Sequence, residues 1–266
     1  MEKITPLVKP NFFIPIPRDI VCATDISDKR IICYSYFFMN MTIDDVVLCS
    51  RDYLIRWCNY VPSSRKNKKT NMSLNDQFFQ VIQWMQNNGY FLSLMDECFK
   101  SGDIFACDIN REKFLLNENF TRIYDFELKK IKNEYGNFAD VVLLVLSYLR
   151  INMWRNNENT KNTKPEMINR HFNNISDELE ISVFLVKKAV AALCDIGIIK
   201  IFKPTKFKDK HGNWHTEDII FVNAYRYVYD ERTKTHHIDG RYNPDVEIKF
   251  GVKTLLEKRN YGGIYS

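Results

Sequence analysis

The sequence predicts a mainly α-helical fold with small antiparallel β-hairpins, an α+β arrangement built as two similar modules. Amphipathic stripes at helical spacing recur along the chain, and two of them close on glycine and run into short apolar segments. These two helices align without a gap from Phe78 to Gly89 and from Val186 to Gly197, and their glycines stand 108 positions apart (197 − 89). Phe78, Val81, Ile82 and Met85 of the first match Val186, Ala189, Val190 and Leu193 of the second. Any amphipathic helix ending in glycine gives such a match; the shared order of helix, helix, helix, glycine, hairpin is what points to a tandem duplication.

Each element has a local cause. Lys9 to Arg18 is punctuated by prolines and therefore extended, with Phe12, Phe13, Ile14 and Ile16 available to clip onto a neighbouring core. Ser27 is placed to cap a helix through Ile31 to Phe38, and Ser50 a short one through Trp57. Ser73 caps the third helix, which stops at Gly89. Tyr90–Leu94 and Ile104–Cys107 read as short strands. The second set starts with a buried helix, Asp140–Trp154, apolar nearly all round. Pro165 is expected to open a second helix reaching about Glu178. Ser182 begins the third, and Ile198–Phe207 with Trp214–Tyr225 make a hairpin about Asp209–Asn213. Val246–Arg259 has the pattern of a short helix. The expected organisation is an extended N-terminal segment (1–26), a first module (27–120), a connecting helix or linker (121–137), a second module (138–229) and a tail (230–266).

Composition narrows the function classes. With 266 residues, 45% hydrophobic and 27% charged, the chain is ordinary globular protein with room for a core. The net charge of +5 and a pI near 8.7 are mild, so the placement of the charges matters more than their sum. Seven cysteines, an odd number with no CxxC pair, read as reduced thiols rather than a disulfide framework or zinc ribbon. The N-terminus has no uninterrupted apolar run typical of a signal peptide, and Val141–Trp154 is too short to span a bilayer. These features together predict a cytoplasmic protein without a membrane partner.

Three helices followed by a hairpin, with the third helix closing as Gly89-Tyr90-Phe91 and Gly197-Ile198-Ile199, resemble the winged helix-turn-helix. Tandem winged helices preceded by an extended strip such as Asn11-Phe12-Phe13-Ile14-Pro15-Ile16-Pro17 look like the replication initiators and replisome organisers of plasmids and phages of Gram-positive bacteria, and more distantly like DnaD-type primosomal proteins. The resemblance covers roughly residues 12–228 and is architectural, so it specifies fold better than function. It implies that each third helix enters the major groove of DNA and that each wing lies along the backbone or minor groove. It also implies a bacterial cell, host helicase-loader or primosome proteins as partners, and a homodimer as one use of surplus apolar surface.

On that expectation, the first third helix presents Asp76, Gln80, Gln83 and Asn87, amides suited to adenine, although Asp76 repels phosphate. A solvated polar face explains the same residues equally well. The second presents Phe184, Lys188, Ala191 and Asp195, with Lys187 at the flank. Arg65, Lys66, Lys68 and Lys69 form a basic loop before the first third helix. Lys200, Lys203, Lys206, Lys208 and Lys210 line the second hairpin, where Lys206, Lys208 and Lys210 share strand parity. Asp96, Glu97, Asp103 and Asp108 make the first hairpin acidic, so it is not expected to touch DNA. The expected DNA-binding set is Arg65, Lys66, Lys68, Lys69, Gln80, Gln83, Asn87, Lys187, Lys188, Lys203, Lys206, Lys208 and Lys210.

No catalytic constellation stands out. GxxxxGK[ST], GxSxG and HExxH are absent, as is the His-hydrophobic-His pair of rolling-circle nickases. His236-His237-Ile238-Asp239 comes nearest, and adjacent histidines on an extended segment point apart. His211 and His215 flank a turn with no cysteine nearby, a poor zinc site. No cofactor or metal is therefore expected. Tyr225-Arg226-Tyr227-Val228-Tyr229 interleaves rings with a cation as single-strand binders do, but strand alternation explains it as sheet packing. The reading is a non-enzymatic double-stranded-DNA-binding protein that initiates or organises phage or plasmid replication. A transcriptional regulator using the same residues, and a protein–protein adaptor binding no DNA, are the alternatives.

Overall fold

A computed structural model of the chain describes residues 12–68, 71–93, 104–115, 119–153, 166–203, 207–208, 214–215, 219–230, 232–233 and 235–261. It is a mixed α/β protein with small antiparallel sheets. It divides into two compact units, one of residues 11–151 and the other containing residues 152–266.

The N-terminal unit starts with β1 (Phe13–Pro17), α1 (Arg18–Cys22) and α2 (Arg30–Asn40). The proline-rich strip does find a core: β1 pairs antiparallel with β4, which lies later in the same unit, and Ile14 and Ile16 are fully buried. Ser27 does not cap α2 as expected; Lys29 holds the cap position, and the Ser27 hydroxyl accepts from the Lys29 N–H at 3.4 Å. A strand not anticipated from the sequence, β2 (Val46–Ser50), leads directly into α3 (Arg51–Trp57), whose N-terminus Ser50 caps. Next come α4 (Leu74–Asn87), β3 (Ile104–Asp108), α5 (Arg111–Leu115) and β4 (Phe120–Tyr124). β3 pairs along its length with β2 in a two-stranded sheet, and Phe91 makes an isolated bridge to Ile109 just beyond the end of β3.

The unit closes with α6 (Asp125–Tyr135), a short 3-10 turn and α7 (Ala139–Asn152). The segment 121–137, expected as a connecting helix or linker, is the end of β4 followed by the helix α6, built into this unit. α7 was expected to open the second module, and the division at residues 151/152 places it in the first. Its two ends show why. Asp140 accepts from Lys29 at 2.8 Å and from the Tyr60 hydroxyl at 2.7 Å. Arg150 grips Glu127 of α6 with two bonds of 2.6 and 2.7 Å and donates to the Arg122 carbonyl at 2.9 Å. Both pairs are buried, where an unpartnered charge is costly, so they fix α7 to these partners.

The C-terminal unit contains β5 (Met167–Arg170), α8 (Phe172–Leu179), α9 (Val183–Asp195), β6 (Ile199–Phe202), β7 (Phe207–Lys208), β8 (Trp214–His215) and β9 (Ile219–Asn223). The helix expected from Pro165 is a correction: Met167–Arg170 is a strand, pairing with Ile219–Val222, and the helix begins only at Phe172. Ile168 and Phe221, opposite each other in register, are buried, and Phe221 meets the Phe172 ring at 6.1 Å. Sheet pairing satisfies the backbone of this segment and buries Ile168 at once, which outweighs the start signal of one proline. The sheet order is β5-β9-β6, with the returning strand in the middle.

β10 (Tyr227–Asp230), β11 (Thr235–Ile238) and α10 (Pro244–Tyr261) complete the unit. Tyr225 and Tyr227 are buried edge to face at 5.6 Å, which favours packing over base stacking for that run. Arg226 joins Glu166 at 2.6 Å and Asp239 at 2.9 Å, while the Glu166 N–H donates to Glu247 of α10 at 2.6 Å. α10 lies against β5, β6 and β9. A side chain at Gly251 would meet the Met167 sulfur at 2.5 Å, so a glycine there permits the close approach. Among the described residues, no helix is long and apolar enough to cross a membrane.

Candidate nucleic-acid interface

The two glycine-closed helices, α4 and α9, end alike. Asn88, Gly89 and Tyr90 donate to Trp84, Gln86 and Met85 at 3.0, 3.0 and 2.9 Å; Ile196, Gly197 and Ile198 donate to Ala192, Cys194 and Leu193 at 3.1, 3.0 and 2.9 Å. Gly89 and Gly197 have φ of +74° and +71°, the left-handed region that disfavours a side chain. The apolar positions that align in sequence, Phe78, Val81, Ile82 and Met85 with Val186, Ala189, Val190 and Leu193, are all buried. That fixes which side of each helix remains outward.

On α4 the outward residues are Asp76, Gln83 and Asn87, all exposed, with Gln80 half-buried. Gln80 is not at liberty to read a base: its amide donates to the Asp25 carbonyl at 3.0 Å. Asp76 completes a capping box, receiving the Ser73 N–H at 2.9 Å while its own N–H donates to the Ser73 hydroxyl at 3.1 Å. The Ser73 backbone and hydroxyl hold the Asp76 carboxyl below its ordinary pKa, and the nearby charges of Lys66 and Arg51 add to the effect. The carboxylate is therefore a fixed negative charge on this face, and only Gln83 and Asn87 of the expected amides stay outward.

The basic loop is held in shape beside the same helix end. Asn75, buried in the first turn of α4, accepts from the Ser63 N–H at 2.8 Å, and its own N–H donates to the Ser63 carbonyl at 3.2 Å. Further along, Asn67 donates to Met72 and Asn71 to Asn67, both at 2.9 Å. Arg65, Lys66 and Lys68 are exposed on this closed excursion; Lys69 lies outside the described residues. The local concentration of positive charge expected from the sequence is real for those three.

α9 presents Phe184, Lys187, Lys188, Ala191 and Asp195, all exposed as helical spacing predicts. Phe184 is 71% exposed, an unusual position for a phenyl ring. The Ser182 hydroxyl caps this helix through the Leu185 N–H at 3.3 Å. Only three residues, 180–182, separate α8 from α9, with Glu180 in the left-handed region at φ +54°. Asp177, Glu178 and Glu180 make the C-terminal end of α8 acidic and exposed.

In the second hairpin the structure separates lysines that the sequence groups. Lys203 is exposed at the end of β6. Lys200 is engaged with Asp245 of α10 at 3.1 Å, which removes it from the phosphate-facing group. Lys208 lies on β7, in register with Trp214, while Lys206 and Lys210 lie outside the described residues. Of the acidic first hairpin, Asp108 is exposed at the end of β3, and Asp96, Glu97 and Asp103 lie outside the described residues.

Four cysteines of the N-terminal unit, Cys33, Cys49, Cys58 and Cys107, are buried; burial pushes the Cys49 thiol up to about 12. Among the described residues no group of His, Cys, Asp and Glu could hold a metal ion.

The two sheets differ on their outer faces. α10 covers that of the C-terminal unit. In the N-terminal unit Leu48, Leu92 and Ile104 stand 68%, 69% and 78% exposed, with Ala106 opposite Leu48 in register. No protein-family model matches the chain, and no curated protein matches it in sequence.

Proposed function

We propose that the chain is a non-enzymatic, sequence-specific double-stranded-DNA-binding protein of the bacterial cytoplasm that initiates or organises phage or plasmid replication through two winged helices. One observation carries the reading. In each unit a helix closing on a left-handed glycine runs into a short antiparallel pairing, and that helix turns exposed residues outward. That is the arrangement in which a helix can lie in a major groove while adjacent basic segments meet phosphates. Exposed Arg65, Lys66 and Lys68 beside α4, and Lys187, Lys188 and Lys203 around α9, support the partner being an anion.

Binding of duplex DNA should fall steeply with salt, because each neutralised phosphate releases counterions. Replacing Arg65, Lys66 and Lys68 by alanine should weaken binding to all sequences and lower the salt slope by roughly one unit for each phosphate left without its cation. Replacing Lys206, Lys208 and Lys210 should do the same for the second wing. Duplex selection from a random library, followed by titration of the selected site against salt, checks both. A selected site among iterated origin repeats supports replication, whereas one beside a promoter supports transcriptional regulation.

A second reading, a protein–protein adaptor, is favoured by the exposed Leu48, Leu92 and Ile104. An adaptor binds no duplex at any salt concentration.

A further inference from the structure

We propose that α9 recognises thymine through its C5-methyl groups, with Phe184 and Ala191 as the specificity-determining residues; this rests on the DNA-binding reading above. Phe184, Lys187, Lys188 and Ala191 follow one another at spacings of three, one and three residues and are all exposed, so they share one side of the helix. The opposite side, Val186, Ala189, Val190 and Leu193, is buried, so the helix cannot roll to present anything else. This outward strip has no amide and no guanidinium, the groups that pair bidentately with adenine or guanine. What it offers is a phenyl ring and a methyl group, with two ammonium groups between them and the Asp195 carboxylate at its C-terminal end.

In the major groove, the apolar feature of the bases is the thymine methyl, and phenylalanine and alanine are among the side chains that contact it. Phe184 occupies the second helical position after the Ser182 cap, at the end from which helices in the groove usually reach base edges. Ala191 follows seven residues later, about 10 Å along the axis. That distance corresponds to roughly three base-pair steps. Lys187 and Lys188 fall between, suited to a guanine edge or a flanking phosphate. The expected site therefore carries two thymines about three base pairs apart. The first unit's α4, with Gln83 and Asn87 outward, has no counterpart to this apolar strip.

Deoxyuridine substitution supplies the test, because it removes the methyl and leaves Watson–Crick pairing intact. A duplex selected from a random library by the full chain is resynthesised with deoxyuridine at each thymidine in turn, and affinities are read by fluorescence anisotropy. Wild-type protein should lose about four-fold at each of two positions, the value of one buried methyl. Phe184→Ala should bind more weakly and lose the penalty at one of those positions only, and Ala191→Gly should lose it at the other. Failure to select any duplex overturns the DNA-binding reading and this inference together. A selected duplex indifferent to deoxyuridine overturns this inference alone. So does a Phe184→Ala variant that keeps both penalties and instead changes its sedimentation, which would make the ring a protein contact.

Discussion

The two units share one local feature, a helix closing on a left-handed glycine, and differ around it. The glycine-closed helices α4 and α9 end in the same set of hydrogen bonds around Gly89 and Gly197, and each runs into a short antiparallel pairing. Three surfaces differ. The link between second and third helices spans 58–73 in one and 180–182 in the other. The outward face of α4 holds a capped acid at its start and two outward amides, that of α9 a ring, a methyl, two lysines and an acid at its end. α10 lies on the C-terminal sheet, whereas Leu48, Leu92 and Ile104 of the N-terminal one are exposed among the described residues. Glycine turns and apolar stripes tolerate little change, because left-handed backbone and close packing penalise most substitutions. Connections and outward faces carry no such constraint, so recognition can diverge while the frame persists.

The largest expected effect tests where the boundary between the units falls. Arg150→Ala leaves Glu127 buried without its partner and should destabilise the N-terminal unit by about 3–5 kcal/mol. Amide exchange should accelerate in α2, α4 and α6 while β9 and α9 keep their protection. Loss of protection in the C-terminal unit of the same size would make the two units one cooperative body.

The shared frame is sharpened by a matched pair. Gly89→Ala and Gly197→Ala each force a Cβ into the left-handed region, at an expected cost of about 1–2 kcal/mol in urea unfolding. Nothing lies within 4 Å of a Cβ at Gly89, so its cost is conformational alone. Costs differing by more than about 1 kcal/mol would mean the two turns are alike in geometry but not in energy.

The caps separate the modules more finely. Ser73→Ala and Ser182→Ala should each cost about 1 kcal/mol, with Ser73 the larger because it also holds Asp76. Only the first carries a pH signature. The Asp76 carboxyl has a lowered pKa in the folded chain, so its contribution is present above the ordinary carboxylate range near pH 4 and is lost as pH falls through the lowered value. Asp76→Asn should remove that part of the acid dependence of the melting temperature. An unchanged acid profile would show that the capping box contributes nothing measurable, as its exposure to solvent would allow.

Local signals in the sequence settled a good deal. Ser50, Ser73 and Ser182 cap the helices they were expected to cap, because a cap needs only a side-chain oxygen three residues from a backbone donor. The buried stripes of α4 and α9 and the turns at Gly89 and Gly197 follow from spacing and φ alone. The exposed faces of both helices were legible for the same reason. Whether an exposed residue is available was not: Gln80 is occupied by Asp25 and Lys200 by Asp245, partners 55 and 45 residues away.

Long-range pairing decided the rest. α7 has the same apolar sequence whichever unit it joins, and the choice was made by Asp140 meeting Lys29 and Tyr60 and by Arg150 meeting Glu127. Met167–Arg170 follows a proline that suits a helix start or a strand, and the unpaired edge of β9 made it a strand. Periodicity and caps are properties of neighbours along the chain, so the sequence by itself determined the repeated helices and their outward faces. Pairing of strands and of buried charges depends on groups brought together from far apart, so only the tertiary structure decided the boundary between the units and which polar residues remain for a partner.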